Sequence, residues 1–171
     1  CARVPLLGTA GITRVVNGPI PYAPDGLPLI GPMPGVPNAF EACVFTFGIV
    51  QAGGAGRLLA EMIVEGETES DSWAVDPRRF TDHVDQAHTT AKAIETYSHE
   101  YAMHFPQIQW PAGRKAKLSP LYDRLAAAGA EFGSYGGWER ADWFPKNDAH
   151  RRPADSYDRQ HWFDSVGEEC R

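Results

Sequence analysis

Apolar positions follow two different periods along the chain. Phe40, Ala42 and Val44 alternate with Cys43, Phe45 and Phe47, and both sets are apolar. Phe40–Phe47 therefore predicts a strand buried on both faces within an α/β sheet. Ile12–Val16 predicts a second, shorter strand. Leu58, Leu59, Met62 and Ile63 share one helical stripe, which predicts a helix running to about Glu65 and stopping at Gly66. The run from Gly48 to Gly56 lies between strand and helix, so this unit reads as strand, glycine-rich turn, helix. Farther on, Asp76-Pro77 offers an N-cap and a first-turn proline. Ala87, Ala91, Ile94, Tyr97 and Tyr101 keep a helical spacing between Asp85 and His104. Ser119 as cap, Pro120, the stripe Leu121, Leu125 and Ala128, and Gly129 as stop predict one more helix. Beyond it, Trp138, Trp143 and Trp162 lie among charges with weak periodicity, and no internal repeat is visible.

Composition divides the chain. Residues 1–56 carry only Arg3, Arg14, Asp25 and Glu41 as charges, whereas the remaining 34 charges and the whole net −6 fall in residues 57–171. Eight of the 14 prolines lie at or before Pro37, most of them in Gly18–Pro28 or close to it. That stretch has too many prolines for a helix or a central strand, and its interleaved apolar residues predict an ordered loop instead of a solvated linker. The acidic balance excludes a nucleic-acid or anionic-membrane surface on charge grounds. Three cysteines without a CxxC pair predict free thiols in a reducing compartment. Ala42–Gly56, the longest uncharged run near the core, is shorter than the roughly 20 residues of a membrane span. No charged-then-apolar opening predicts a signal peptide, and Cys1 in place of methionine predicts a cut or processed chain.

Few residues advertise chemistry alone. A helix start free of bulky side chains leaves its amides and positive dipole end open to a phosphate or to the anionic edge of a reduced flavin. Gly53, Gly54 and Gly56 equally allow tight packing on a neighbouring strand, and the run fits neither GxGxxG nor a P-loop. His83 and His88, and again His99 and His104, are five apart. On a helix those rings point about 140° apart, so neither pair predicts a shared metal ion. Ser119 reads as a cap, Cys43 as an inert buried thiol, and Asp25 as a turn residue that has to be bonded, paired or exposed.

Several blocks together resemble a known family. Gly18-Pro19-x-x-Tyr22-x-Pro24-Asp25-x-x-Pro28-x-x-Gly31-Pro32, followed by Phe45-x-Phe47-Gly48-Ile49-Val50-x-Ala52-Gly53-Gly54-x-Gly56, is similar to the end of the flavin domain in the D-amino-acid-oxidase-like superfamily, nearest its dimethylglycine and sarcosine dehydrogenases. Asp76-Pro77-x-Arg79-Phe80, Ser119–Tyr122, Gly137–Arg140 and Trp143-Phe144 resemble the central domain of those enzymes. Trp162-Phe163-x-x-Val166-Gly167-Glu168-Glu169 resembles the entry to their aminomethyltransferase-like domain.

The resemblance implies an α+β or α/β fragment: the end of a flavin-binding α/β domain over residues 1–67, a mostly helical central domain over 68–145, and a linker with the start of the next domain over 146–171. It implies FAD-dependent N-demethylation of a small methylated amine such as dimethylglycine or sarcosine, with tetrahydrofolate as a further cofactor of the full-length protein. Phe45, Thr46, Phe47, Gly48, Ile49, Val50 and Gln51 would lie against the flavin ring, and Tyr22, Pro24 and Asp25 would form the substrate-side loop. No catalytic base is assigned: some flavin amine oxidases place a lysine in the glycine turn, where this chain has Val50 and Gln51. The main dinucleotide site is expected in an upstream unit or a partner subunit. The setting implied is the bacterial cytoplasm or the mitochondrial matrix. A non-catalytic accessory subunit of a multi-subunit amine oxidase is the alternative.

Overall fold

The computed structural model describes residues 3–151, 156–160 and 162–171; Cys1, the third thiol, lies outside them. It has mixed α+β architecture, the expected class. The helices are α1 (Gly48–Val64), α2 (Gln86–Ser98), α3 (Tyr122–Ala127) and α4 (Trp162–Glu169). Two antiparallel ladders pair β1 (Leu29–Pro32) with β2 (Phe40–Cys43) and β3 (Glu131–Tyr135) with β4 (Trp138–Trp143).

The strand expected over Phe40–Phe47 ends at Cys43. Cys43 pairs with Leu29, and the next partner would be Pro28, which has no N–H to donate. At Val44 the backbone turns into the left-handed region (φ 59°) and leads into α1. Nor is the strand buried. Phe40 and Ala42 are exposed, and the only strand β2 pairs with among the described residues is β1. The strand expected at Ile12–Val16 is also absent: Ile12, Val15 and Val16 are exposed and no described strand offers them a ladder. The glycine-rich turn is instead helical from Gly48. Gly53, Gly54 and Gly56 lie inside α1, and a Cβ on any of them would meet nothing within 4 Å, so tight packing does not explain them.

α2 begins as expected, with the Asp85 carboxylate accepting from the His88 amide at 2.7 Å. It stops at Ser98, leaving Tyr101 and His104 outside the helix, and its apolar stripe faces outward. Ile94 is 66% and Tyr97 56% exposed, while Glu95 is buried. Burial of Glu95 is compensated: it accepts from Lys92 Nζ and from the Ala112 amide, each at 2.7 Å. α3 is shorter than expected, and Ser119 caps the turn before it by accepting from the Leu121 amide.

The central segment is not mostly helical, because it carries the β3–β4 hairpin. Gly136 and Gly137 both have left-handed φ (57° and 83°), as a two-residue primed turn requires. Glu139 on β4 anchors the hairpin to the preceding loop. Its buried carboxylate accepts from Arg114 Nε (2.8 Å) and Nη2 (2.5 Å) and from the Lys115 amide (2.7 Å). Burial pushes this carboxyl up, but the Arg114 fork and the Lys115 amide outweigh it, so its pKa lies below the ordinary value.

Few apolar residues are buried among the described residues: Ala23, Ile30, Ala55, Met62, Ala130 and Trp143. The accessible surface is 12351 Å². A self-contained globular chain of this mass exposes about 8,300 Å², so roughly 4,000 Å² is in excess. Among the described residues no helix is long and apolar enough to cross a membrane.

Candidate functional site

The proline-rich loop is held by named bonds. Asp25, isolated among uncharged residues, is both turn-bonded and paired. Its Oδ1 accepts from the Leu27 amide at 3.0 Å, and its two oxygens take Arg79 Nε at 2.7 Å and Nη2 at 3.1 Å. Arg79 also donates to the Leu27 carbonyl (3.0 Å) and the Asp76 carbonyl (3.1 Å), and its guanidinium lies 4.4 Å from the Phe80 ring centroid. The Arg79 side chain is 3% exposed and that of Asp25 35%. Asp76 shapes the turn that presents Arg79 by accepting from the Arg78 amide, the cap expected from Asp76-Pro77. Two further ties reach α2 and its end. Thr96 Oγ1 donates to the Pro24 carbonyl at 2.8 Å, and the Tyr22 hydroxyl donates to Glu100. Tyr22 also meets the Tyr97 ring edge-on at 5.4 Å. Burial, with Glu100 beside it, pushes the Tyr22 phenol well above its usual range.

Phe45–Gln51 forms the entry to α1. No side chain caps this helix, and its first turn closes with the Gln51 amide donating to the Phe47 carbonyl at 3.2 Å. The amides of Gly48, Ile49 and Val50 therefore precede any intrahelical acceptor. Ile49 is 97% and Val50 82% exposed, which leaves an apolar shoulder beside those amides. Thr46 Oγ1 and Gln51 Oε1 are buried with no hydrogen-bond partner. An apolar shoulder, open amides and two orphaned polar atoms fit a flat group with a polar edge, as an isoalloxazine is. Among the described residues no hydrogen bond, ion pair or ring contact joins this segment to Tyr22, Pro24 or Asp25.

Pro24 and Asp25 do reach a cavity of about 370 Å³, whose other walls include His83, His88, Lys92 and Trp110. The helical argument about histidine spacing fails here, because His83 precedes α2 and His104 follows it. The His83 and His88 rings lie 5.7 Å apart, edge to face. Burial, then Lys117 and His88, holds the His83 pKa below the usual imidazole value. Among the described residues no group of three His, Cys, Asp or Glu side chains is placed to hold a metal ion. Cys43 is half-buried, and burial and then Glu41 push its thiol up, which disfavours the reactive thiolate. Sequence reasoning missed Arg79, Thr96, Glu100 and Trp110 as partners of this region. The lone charge of Asp25 in an apolar loop was the available signal for a buried cation opposite it.

Known proteins match the same stretch. Residues 65–119 match the FAD dependent oxidoreductase central domain. The chain is 41% identical over 169 residues to human mitochondrial dimethylglycine dehydrogenase, covering 97% of this chain and 19% of that protein. It is 39% identical over 168 residues to the formaldehyde-forming 4-methylaminobutanoate oxidase of Paenarthrobacter nicotinovorans, covering 97% of this chain and 20% of that one. Mouse mitochondrial sarcosine dehydrogenase is 37% identical over 147 residues, covering 83% of this chain and 16% of that enzyme. These matches make the chain similar to one part of FAD-dependent oxidoreductases. The chain belongs to the dimethylglycine and sarcosine dehydrogenase family, and it spans about a fifth of the length of the curated relatives it matches.

Proposed function

We propose that this chain supplies the flavin-facing end of the FAD region and the adjoining central region of an enzyme that demethylates a small N-methylated amine, such as dimethylglycine or sarcosine. The reading rests chiefly on the uncapped start of α1, where Thr46 Oγ1 and Gln51 Oε1 are buried without partners. FAD held there would supply a hydride acceptor for oxidation of the N-methyl carbon, with hydrolysis then releasing the demethylated amine and formaldehyde. The amides of Gly48, Ile49 and Val50 would donate toward the flavin edge that becomes negative. A helix N-terminus stabilises such charge by about 0.3–1 kcal/mol, and by more where it is buried. Ile49 and Val50 would exclude water from the ring, with Phe45 and Phe47 beside them. Tyr22, Pro24 and Asp25 would hold the substrate-side wall, which needs no mobile charge because Arg79 already neutralises Asp25. The dinucleotide-binding unit would come from the upstream polypeptide or a partner subunit. In the full-length protein tetrahydrofolate would accept the one-carbon unit, and the compartment would be the mitochondrial matrix or the bacterial cytoplasm.

The test uses the full-length protein. It should purify with flavin absorbance that bleaches when dimethylglycine or sarcosine is added without oxygen. Ile49→Asp places a carboxylate against the same amides and should lower the flavin potential by about 6–20 mV, the two-electron equivalent of that helix effect. A colourless protein refutes the reading. So does a flavoprotein whose potential ignores both Ile49→Asp and Gln51→Leu.

A further inference from the structure

α2 lines the cavity with the face that a solvated helix would turn outward. His88, Lys92, Glu95 and His99 follow at i, i+4, i+7 and i+11, one stripe of the helix. Half of that stripe is internally satisfied. Glu95 is closed by Lys92 and the Ala112 amide, and His99 stacks on Trp110 at 4.2 Å with its Nδ1 2.8 Å from the Glu95 carbonyl. The other half faces open volume: His88 and Lys92 line the cavity together with His83 and His104. Lys92 engages Glu95 with one of its three N–H donors.

The histidines are seated where only glycine leaves room. A Cβ on Gly113 would lie 2.7 Å from His88 Cε1, and one on Gly137 would lie 2.8 Å from His83 Nε2. The wall has little to offer a cation. Its carboxylate, Asp25, is already held by Arg79, and the faces of Phe80 and Trp110 carry Arg79 (4.4 Å) and Lys92 (5.8 Å). A volume of about 370 Å³ lies within the range of small-ligand pockets, roughly 300–1,000 Å³.

We propose that this cavity is a binding site for a small organic carboxylate of amino-acid size, held by the Lys92 ammonium with His88 beside it and separate from the start of α1. It extends beyond the flavin reading and does not depend on it. The test is calorimetric titration of the full-length protein with acetate and with glycine, carboxylates that carry no N-methyl group to oxidise, while flavin absorbance is followed in parallel. The expected result is carboxylate binding that leaves the flavin spectrum unchanged. Lys92→Met should weaken that binding about tenfold or more, as loss of a charge-assisted hydrogen bond does. His88→Gln, which keeps a polar side chain, should weaken it less. Should Lys92→Met fail to fold, the flavin-silent heat of the wild type and its reduction in His88→Gln decide the matter. The proposal is overturned if no flavin-silent heat is found, if neither variant changes it, or if every carboxylate that binds also shifts the flavin spectrum. A protein purified without flavin would refute the demethylase reading, yet the heat and its loss in Lys92→Met would remain measurable.

Discussion

Removing either partner of the Asp25–Arg79 pair should cost stability, but by unequal amounts. Asp25→Asn keeps an oxygen for the Leu27 amide while deleting the counter-charge of a guanidinium that is 3% exposed. Stranding a buried charge typically costs 3–5 kcal/mol, so about 4 kcal/mol is expected. Arg79→Met conserves much of the volume and leaves a carboxylate that is 35% exposed and free to hydrate. Its expected cost is about 2 kcal/mol, mostly from the Leu27 and Asp76 carbonyls that lose their donor. The double variant should be less destabilised than Asp25→Asn alone, because it strands no buried charge. Urea unfolding of the four proteins in the full-length background measures this, provided the m-values agree. If Arg79→Met proves as costly as Asp25→Asn, or both fall below about 1 kcal/mol, the buried guanidinium is not what fastens the loop.

Glu139 gives a pH dependence. Its folded pKa is depressed, so its stabilisation is complete above the unfolded value near 4.3 and is lost as pH falls through the folded value. Glu139→Gln should lose about 3 kcal/mol at neutral pH, because Arg114 keeps partial solvent access, and the gap to wild type should close below about pH 4 in acid-unfolding curves. Gly113→Ala forces a left-handed alanine (φ 65° in the wild type) against the His88 ring, and urea midpoints should show a loss of about 2 kcal/mol. Tyr22 should keep its proton where ordinary tyrosines ionise, near pH 10. The stability it lends is then lost as pH rises from there toward its folded value. Ultraviolet titration of wild type against Tyr22→Phe should therefore show no difference in ionised tyrosine until the folded chain opens.

Local signals in the sequence were reliable where the physics is local. Asp76-Pro77 as a capped turn and Gly66 and Gly129 as stops depend on neighbours a few residues away, and all three occur. Periodicity located the stripe on α2 but could not tell which side faces in. The buried side is polar because Lys92 and the Ala112 amide, 17 residues from Glu95 in the latter case, satisfy it. The Phe40–Phe47 reading failed through its partner, since Pro28 ends the ladder from the opposite strand. The β3–β4 hairpin was readable from Tyr135-Gly136-Gly137-Trp138, where two glycines between aromatic residues signal a primed turn. For Phe45–Gln51, open amides at a helix start could be foreseen, but the orphaned Thr46 and Gln51 atoms depend on tertiary surroundings.

The Arg79–Asp25 contact joins residues 54 apart in sequence, with all of α1 between them. A bond of that kind acts as a non-covalent staple, closing this part of the chain into a loop whose two ends cannot separate while it holds. The boundary between the glycine- and proline-rich stretch and the charged stretch is consequently a poor hinge, and the two should move as one body. Any large opening has to occur at some other joint of the full-length protein.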